Sequence, residues 1–416
     1  MVASTIHFVD CIPAVGPQKW NSGNWDPRKN TIDGADAGEL LGPVRYEQLL
    51  KQRNVAVEYD KYFNEYPTAI ARKFNLEREI PEETVEALLI ELLEAPIRKD
   101  ISSYMSSLIG RPLEAFDIYL EDLSEDASAS QLDEKVTAMF QDEQEFQNKL
   151  PEVLCGLGYT DEDAAFLGTR INVEIARGAG HAMRPGIPEY HAWLRTNRLD
   201  DRLGWDGFDT AMHELGHNLE QLISTHFVPR PLLRNVPNTA CTEAFAFLYQ
   251  NKAKEVVGIQ VEDEELSFAI ASVEGLLAAC QIAGPSLVEL YTWRWLYENA
   301  DATADQLRDK MIAIADEVWN KYFADYFGED PYHILTAYQH MIGYPLYLAD
   351  YTIGHVISHQ IKSHVRGKDL ATETKRICSI GRLTPDLWMN RAVGNSISGS
   401  QLIEDAAAGL QRINPK

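Results

Sequence analysis

The chain has 416 residues, 45% of them apolar, which is enough to bury a large core in one big domain or two lobes. Its 38 Lys+Arg against 63 Asp+Glu give a formal charge of -25, which argues against nucleic acid or an anionic membrane as a partner, since both require a basic footprint. Five scattered cysteines (Cys11, Cys155, Cys241, Cys280 and Cys378) show no CxxC spacing, which argues against a disulfide framework or a cysteine-based structural zinc site.

The first twenty residues lack the basic and apolar regions of a secretory leader, and no apolar run reads as long enough to span a bilayer. A soluble, cytoplasmic protein is expected. Residues 1–45 are rich in Gly, Pro, Asn and Asp and read as an irregular lead-in. Residues 46–160 form a helical region. In it, 81–95 opens on Pro81 and acidic residues before apolar positions recur at helical spacing. Residues 128–154 read similarly, with Pro151 expected to open a further short helix.

The period changes over 169–178, where Ile171, Val173 and Ile175 alternate with Asn172 and Glu174 as in a strand. After a Gly/Pro turn at 177–188, residues 189–197 predict a second strand running back beside the first. Helices are then predicted over 208–225, about 239–256, 262–281, 285–299, 302–324, 332–342, 345–366 and 400–412. The fold class is mainly α, with a small β-element just before the helix at 208–225.

That helix contains "HELGH", with His213 and His217 four residues apart and so on one face. Both imidazoles can reach one zinc ion, and Glu214 can sit over a metal-activated water as its general base. Gly216 costs about 1 kcal/mol of helix propensity relative to Ala, which a close approach of neighbouring backbone or of substrate would explain. Buried core histidines or a surface pair are the alternatives. Twenty-six residues on, "NTACTEAFAFLYQ" carries one carboxylate, Glu243, on an otherwise apolar helix. A buried glutamate there must find a proton, a cation or a metal. The alternative is a solvated glutamate paired with Lys252 or Lys254. Two His and one Glu, with a fourth position left to water, make a catalytic zinc set.

"HELGH" with a glutamate some 25 residues on, in an "EAFAF" helix, resembles the gluzincin metallopeptidases. The chain is most similar to the thimet oligopeptidase/oligoendopeptidase family, with carboxypeptidase relatives next. "GRPLEAFDIYL" at 110–120 and "HMIGYPLYLADYTIGH" at 340–355 also resemble family segments. The resemblance implies a zincin-type helical metallopeptidase fold with a substrate cleft, a catalytic region over 161–416, and one Zn2+ per chain held by His213, His217 and Glu243. It further implies a helix carrying Tyr344 and Tyr351 as hydrogen-bond donors to the oxyanion, with His340 beside them and Tyr347 in packing or substrate contact. Ordinary aromatic packing is the alternative for the tyrosines. Family members run longer, with more helical chain ahead of the β-element.

In the Gly/Pro turn, His181 and Arg184 are candidate contacts to substrate, with a plain β-turn as the alternative. The strand at 189–197 can pair with an extended peptide by β-augmentation. Cys241 reads as core. His355, His359 and His364 read as a packed or exposed helix face, since no carboxylate joins them locally. No serine or cysteine nucleophile motif occurs. The expected function is hydrolysis of peptide bonds in oligopeptides; the alternatives are a metallocarboxypeptidase and an inactive zinc-binding helical protein.

Overall fold

Helices account for most of the residues that the computed structural model describes, which are 25–26, 31–39, 42–120, 123, 129–198, 201–259, 263–329, 333–338 and 340–414. Those of eight residues or more are α1 (Val44–Asp60), α2 (Glu82–Leu93), α3 (Arg98–Ile109), α4 (Ala129–Met139), α5 (Glu143–Gly156), α6 (Asp161–Gly168), α7 (Gly204–His226) and α8 (Thr239–Gln250), followed by α9 (Glu264–Glu298), α10 (Ala304–Tyr322), α11 (Leu348–Val365), α12 (Leu370–Cys378), α13 (Pro385–Val393) and α14 (Ser400–Ile413). Side-chain caps start many of them. Asp142, Thr160, Asn238 and Asp369 each accept from a backbone N–H three residues on, and Thr303 with Gln306 closes a capping box.

The mainly α class holds, and several details differ from expectation. Within 129–156 the second helix starts at Glu143, capped by Asp142, and not at Pro151. Pro151 lies inside α5 and opens nothing: its fixed φ suits a helix, and it forgoes one backbone hydrogen bond. The helices expected at 262–281 and 285–299 are one 35-residue helix, α9, which continues through Pro285. Its length and apolar composition would suffice to cross a membrane, but Val273, Leu276, Ala279, Ala283, Leu287 and Leu290 are buried inside the fold. The nine-residue α12 and α13 were not anticipated, being too short to display a clear period.

The described chain divides into two compact units. One combines residues 1–122 with 276–352, the other 123–275 with 353–416. The boundaries fall between residues 122 and 123, inside α9 and inside α11. In the lead-in, residues 1–24, 27–30 and 40–41 lie outside the described ones. The remainder includes the two-residue strands β1 (Trp25–Asp26), β2 (Thr31–Ile32) and β3 (Ala35–Asp36), paired antiparallel in that order.

In the second unit, β4 (Ile171–Ile175), β5 (His181–Met183) and β6 (Ala192–Thr196) form a sheet in the order β4-β6-β5. β6 runs parallel to β4, not back beside it, because β5 intervenes inside the supposed turn and pairs antiparallel with β6. Both ladders of β6 are therefore filled. The strand at 189–197 cannot accept a peptide, and the open edge on that side is β5. Leu194 and Ala192 on β6 are buried, and β6 packs on α7, where Phe208 meets Phe140 and Phe146.

In the first unit, a π-helical turn at Arg72–Glu77 delivers Arg78 into the interior. Arg78 Nε donates to Asp350 Oδ1 (2.6 Å) and Nη2 to the Leu346 carbonyl (2.7 Å). The Leu346 N–H donates to Glu289 Oε1 (2.7 Å), and Leu346 sits at φ 59°. A branched residue in the left-handed region is strained, and buried charges on both of its peptide groups hold it there. Burial, opposed by those amides and Arg78, pushes the Glu289 carboxyl up to about 7 from an ordinary 4.5. An acid whose folded pKa is raised costs nothing below pH ~4.5 and destabilises increasingly as pH rises through ~7. Between pH 5 and 8, Glu289→Gln is therefore expected to lose less melting temperature than wild type, the difference corresponding to about 3 kcal/mol at most. Parallel calorimetric profiles would refute this.

Candidate metal centre

Two helices of the second unit build the centre. α7 and α8 cross with their backbones in contact at Gly216, where a Cβ would strike the Phe245 carbonyl and lie 2.7 Å from Ala246 Cα. This is the close approach that the glycine in "HELGH" foretold. It brings the His213 and His217 face of α7 against Glu243 of α8. The two Nε2 atoms lie 3.5 and 3.6 Å from Glu243 Oε2. The three candidate ligand atoms fall within 4.8 Å of one another. Two imidazole nitrogens and one carboxylate oxygen, converging and largely buried, fit the donor set and span of a zinc ion.

The electrostatics separate the two carboxylates. Burial is the largest influence on each. For Glu243 the neighbouring His217 and His213 overcome it and hold the carboxyl well below the usual carboxylate range. For Glu214 burial wins, and its carboxyl is raised. Glu214 Oε2 is buried and has no hydrogen-bond partner among the described residues. Glu243 is not the solvated alternative: Lys252 pairs with Glu255 instead. His213 Nδ1 lies 2.9 Å from Gln250 Oε1, and Gln250 Nε2 donates to Asp209 Oδ2 at 2.6 Å. The motif drew attention to neither residue, although Asp209 stands one turn before His213 and Gln250 two turns after Glu243.

β5 starts beside this centre. A Cβ on Gly180 would collide with Thr210 and lie 3.7 Å from Glu214 Oε1, so only glycine lets the strand pass so close. His181 follows on that strand, exposed, with Nε2 3.2 Å from Arg195 Nη1. Arg184 reaches instead to buried Glu220 Oε1 and Ser224 Oγ, both at 3.3 Å. His355 is half-buried and stacks on Phe247 at 3.8 Å, and desolvation lowers its pKa to about 4. His359 pairs with Asp405 and His364 with Glu373, so these three histidines pack as expected. Cys241 is buried core.

The remaining candidates form a cluster within the first unit. Tyr351 Oη lies 3.3 Å from His340 Nε2, and Tyr347 stacks on His340 and meets Tyr351 edge-on at 5.0 Å. Tyr344 is 66% exposed and stands outside α11, so the spacing of seven does not place Tyr344 and Tyr351 on one helix. Pro345 and the left-handed Leu346 break the chain between them. Tyr347 is the tyrosine that meets Tyr351.

No family profile matches the chain, and no curated protein matches it. Solved structures do. PZ peptidase A superposes with a TM-score of 0.61 at 15% identity, covering 89% of this chain and 65% of its own. A candidate peptidase of Chlamydophila abortus gives 0.58 at 13%, with 89% and 60% covered. Metallocarboxypeptidase 1 of Trypanosoma cruzi gives 0.55 at 13%, with 90% and 78% covered. The chain thus has the helical fold of these peptidases, and it spans less than two thirds of the length of the first two. Glu243→Gln is expected to abolish stoichiometric zinc after desalting, measured by elemental analysis; full zinc retention would remove Glu243 from the ligand set.

Proposed function

We propose that the protein is a zinc-dependent metallopeptidase that cleaves oligopeptides. The observation that carries this reading is the convergence of His213, His217 and Glu243 beside a second carboxylate, Glu214, whose pKa is raised. A purely structural zinc site needs no such acid. Zinc, when bound, supplies a Lewis acid that acidifies a water. Glu214 would take a proton from the attacking water and carry it to the leaving amine, and its buried, unpaired Oε2 suits a group that must change protonation state.

The open edge of β5, passing Glu214 at Gly180, supports binding of an extended peptide by backbone pairing, with His181 in contact. Tyr351 and Tyr344 as oxyanion donors, with His340 beside Tyr351, follow from the family resemblance. The free Cys155, Cys241, Cys280 and Cys378 support a reducing, cytoplasmic setting.

Glu214→Gln is expected to keep one zinc per chain while losing turnover by roughly 10³-fold or more on a mixed set of 6–20-residue peptides read by mass spectrometry. Internal cuts made by wild type alone support the oligopeptidase; single-residue ladders would convert the reading to a metallocarboxypeptidase. Intact peptides with zinc bound would leave a binding protein. Tyr351→Phe is expected to lower kcat with KM little changed, and equal kcat would remove it from catalysis.

A further inference from the structure

The relay behind His213 has a direction. Asp209, when ionised, only accepts hydrogen bonds, so the end of Gln250 that faces it at 2.6 Å must be the amide nitrogen. The amide oxygen is thereby turned toward His213 Nδ1, 2.9 Å away. That oxygen also only accepts, so Nδ1 must carry the proton. In a neutral imidazole the lone pair then belongs to Nε2, the atom that converges with His217 on Glu243. One acidic side chain at the far end of the chain decides the tautomer at the near end.

We propose that Asp209 and Gln250 are positioning residues that lock His213 in its Nδ1–H tautomer and present Nε2 to the metal, a role that rests on the metal-centre reading above. Burial raises the Asp209 carboxyl, while the hydrogen bond from Gln250 pulls it back toward the accepting form. The ring also needs orienting from the side. Phe247 meets it edge-on at 5.4 Å and is itself stacked on His355. The His213 side chain keeps 18% exposure, so without Gln250 water can serve Nδ1 as donor or acceptor, and the tautomer is no longer fixed. The arrangement also ties α7 to α8 by a second link, independent of the Gly216 contact.

The test is a double-mutant cycle on the zinc dissociation constant, measured by chelator competition, with the visible spectrum of the cobalt(II)-loaded protein alongside. Gln250→Ala is expected to weaken zinc binding roughly 10- to 100-fold and to alter the cobalt spectrum, with the apo melting temperature held. Asp209→Ala is expected to weaken binding less, because the amide is then free to flip. The double variant should be no weaker than Gln250→Ala alone, since Asp209 acts only through Gln250. Gln250→Glu keeps an acceptor at Nδ1 and is expected to rescue binding. Additive losses, no loss in Gln250→Ala, or no rescue by Gln250→Glu would overturn the proposal. If Gln250→Ala does not fold, Asp209→Ala and Gln250→Glu decide it by the same outcomes. Wild type that fails to bind zinc would instead overturn the metal-centre reading itself.

Discussion

The contact between the backbones of α7 and α8 at Gly216 is the constraint on which the centre depends. Helices normally keep 8–10 Å between axes, and closer approach requires that side chains be absent where they meet. With Gly216 there, one turn of α7 sets two imidazoles within reach of a single carboxylate on α8. α11 repeats the device from another side: a Cβ on Gly354 would come 2.7 Å from Glu243 Cβ. Glu243 is thus fixed between backbones rather than by solvent-exposed partners. That fixation is why its oxygen can sit almost equidistant from the two nitrogens, at 3.5 and 3.6 Å.

Once helices approach this closely, the charge arrangement follows. Glu214 and Glu243 share a largely buried environment, and only one of them has imidazoles aimed at it. The result is a pair of acids pushed in opposite directions from similar starting values. Such divergence is how neighbouring carboxylates come to hold different roles at one pH. The overall charge of -25 contributes little to this, since the separation arises from contacts a few ångströms long.

The candidate metal ligands were legible in the sequence because helical geometry makes the fourfold spacing of His213 and His217 a statement about space. Glu243 was legible because a lone carboxylate among Ala240, Ala244 and Leu248 had to be buried with something. Gln250 and Asp209 escaped notice for the opposite reason: their meeting depends on how two helices cross, and spacing along one chain does not encode it. The direction of β6 was missed because β5 is three residues long inside a Gly/Pro-rich stretch, where no alternation can show. The resemblance put Tyr344 on the helix of Tyr351, whereas this chain breaks between them at Pro345 and at Leu346, held by Arg78 and Glu289.

The threading of the two units bears on synthesis as well as on structure. Residues 1–122 leave the ribosome without residues 276–352, with which they form a unit, and the 153 residues from 123 to 275 must be made in between. At 5–20 residues per second that interval is roughly 8–30 s, long against the folding of helical segments. The early helices therefore wait with Tyr46, Leu49, Val85, Leu89 and Leu92, all destined for burial, still in water. A nascent chain of this design exposes those apolar side chains before His213, His217 and Glu243 have been made.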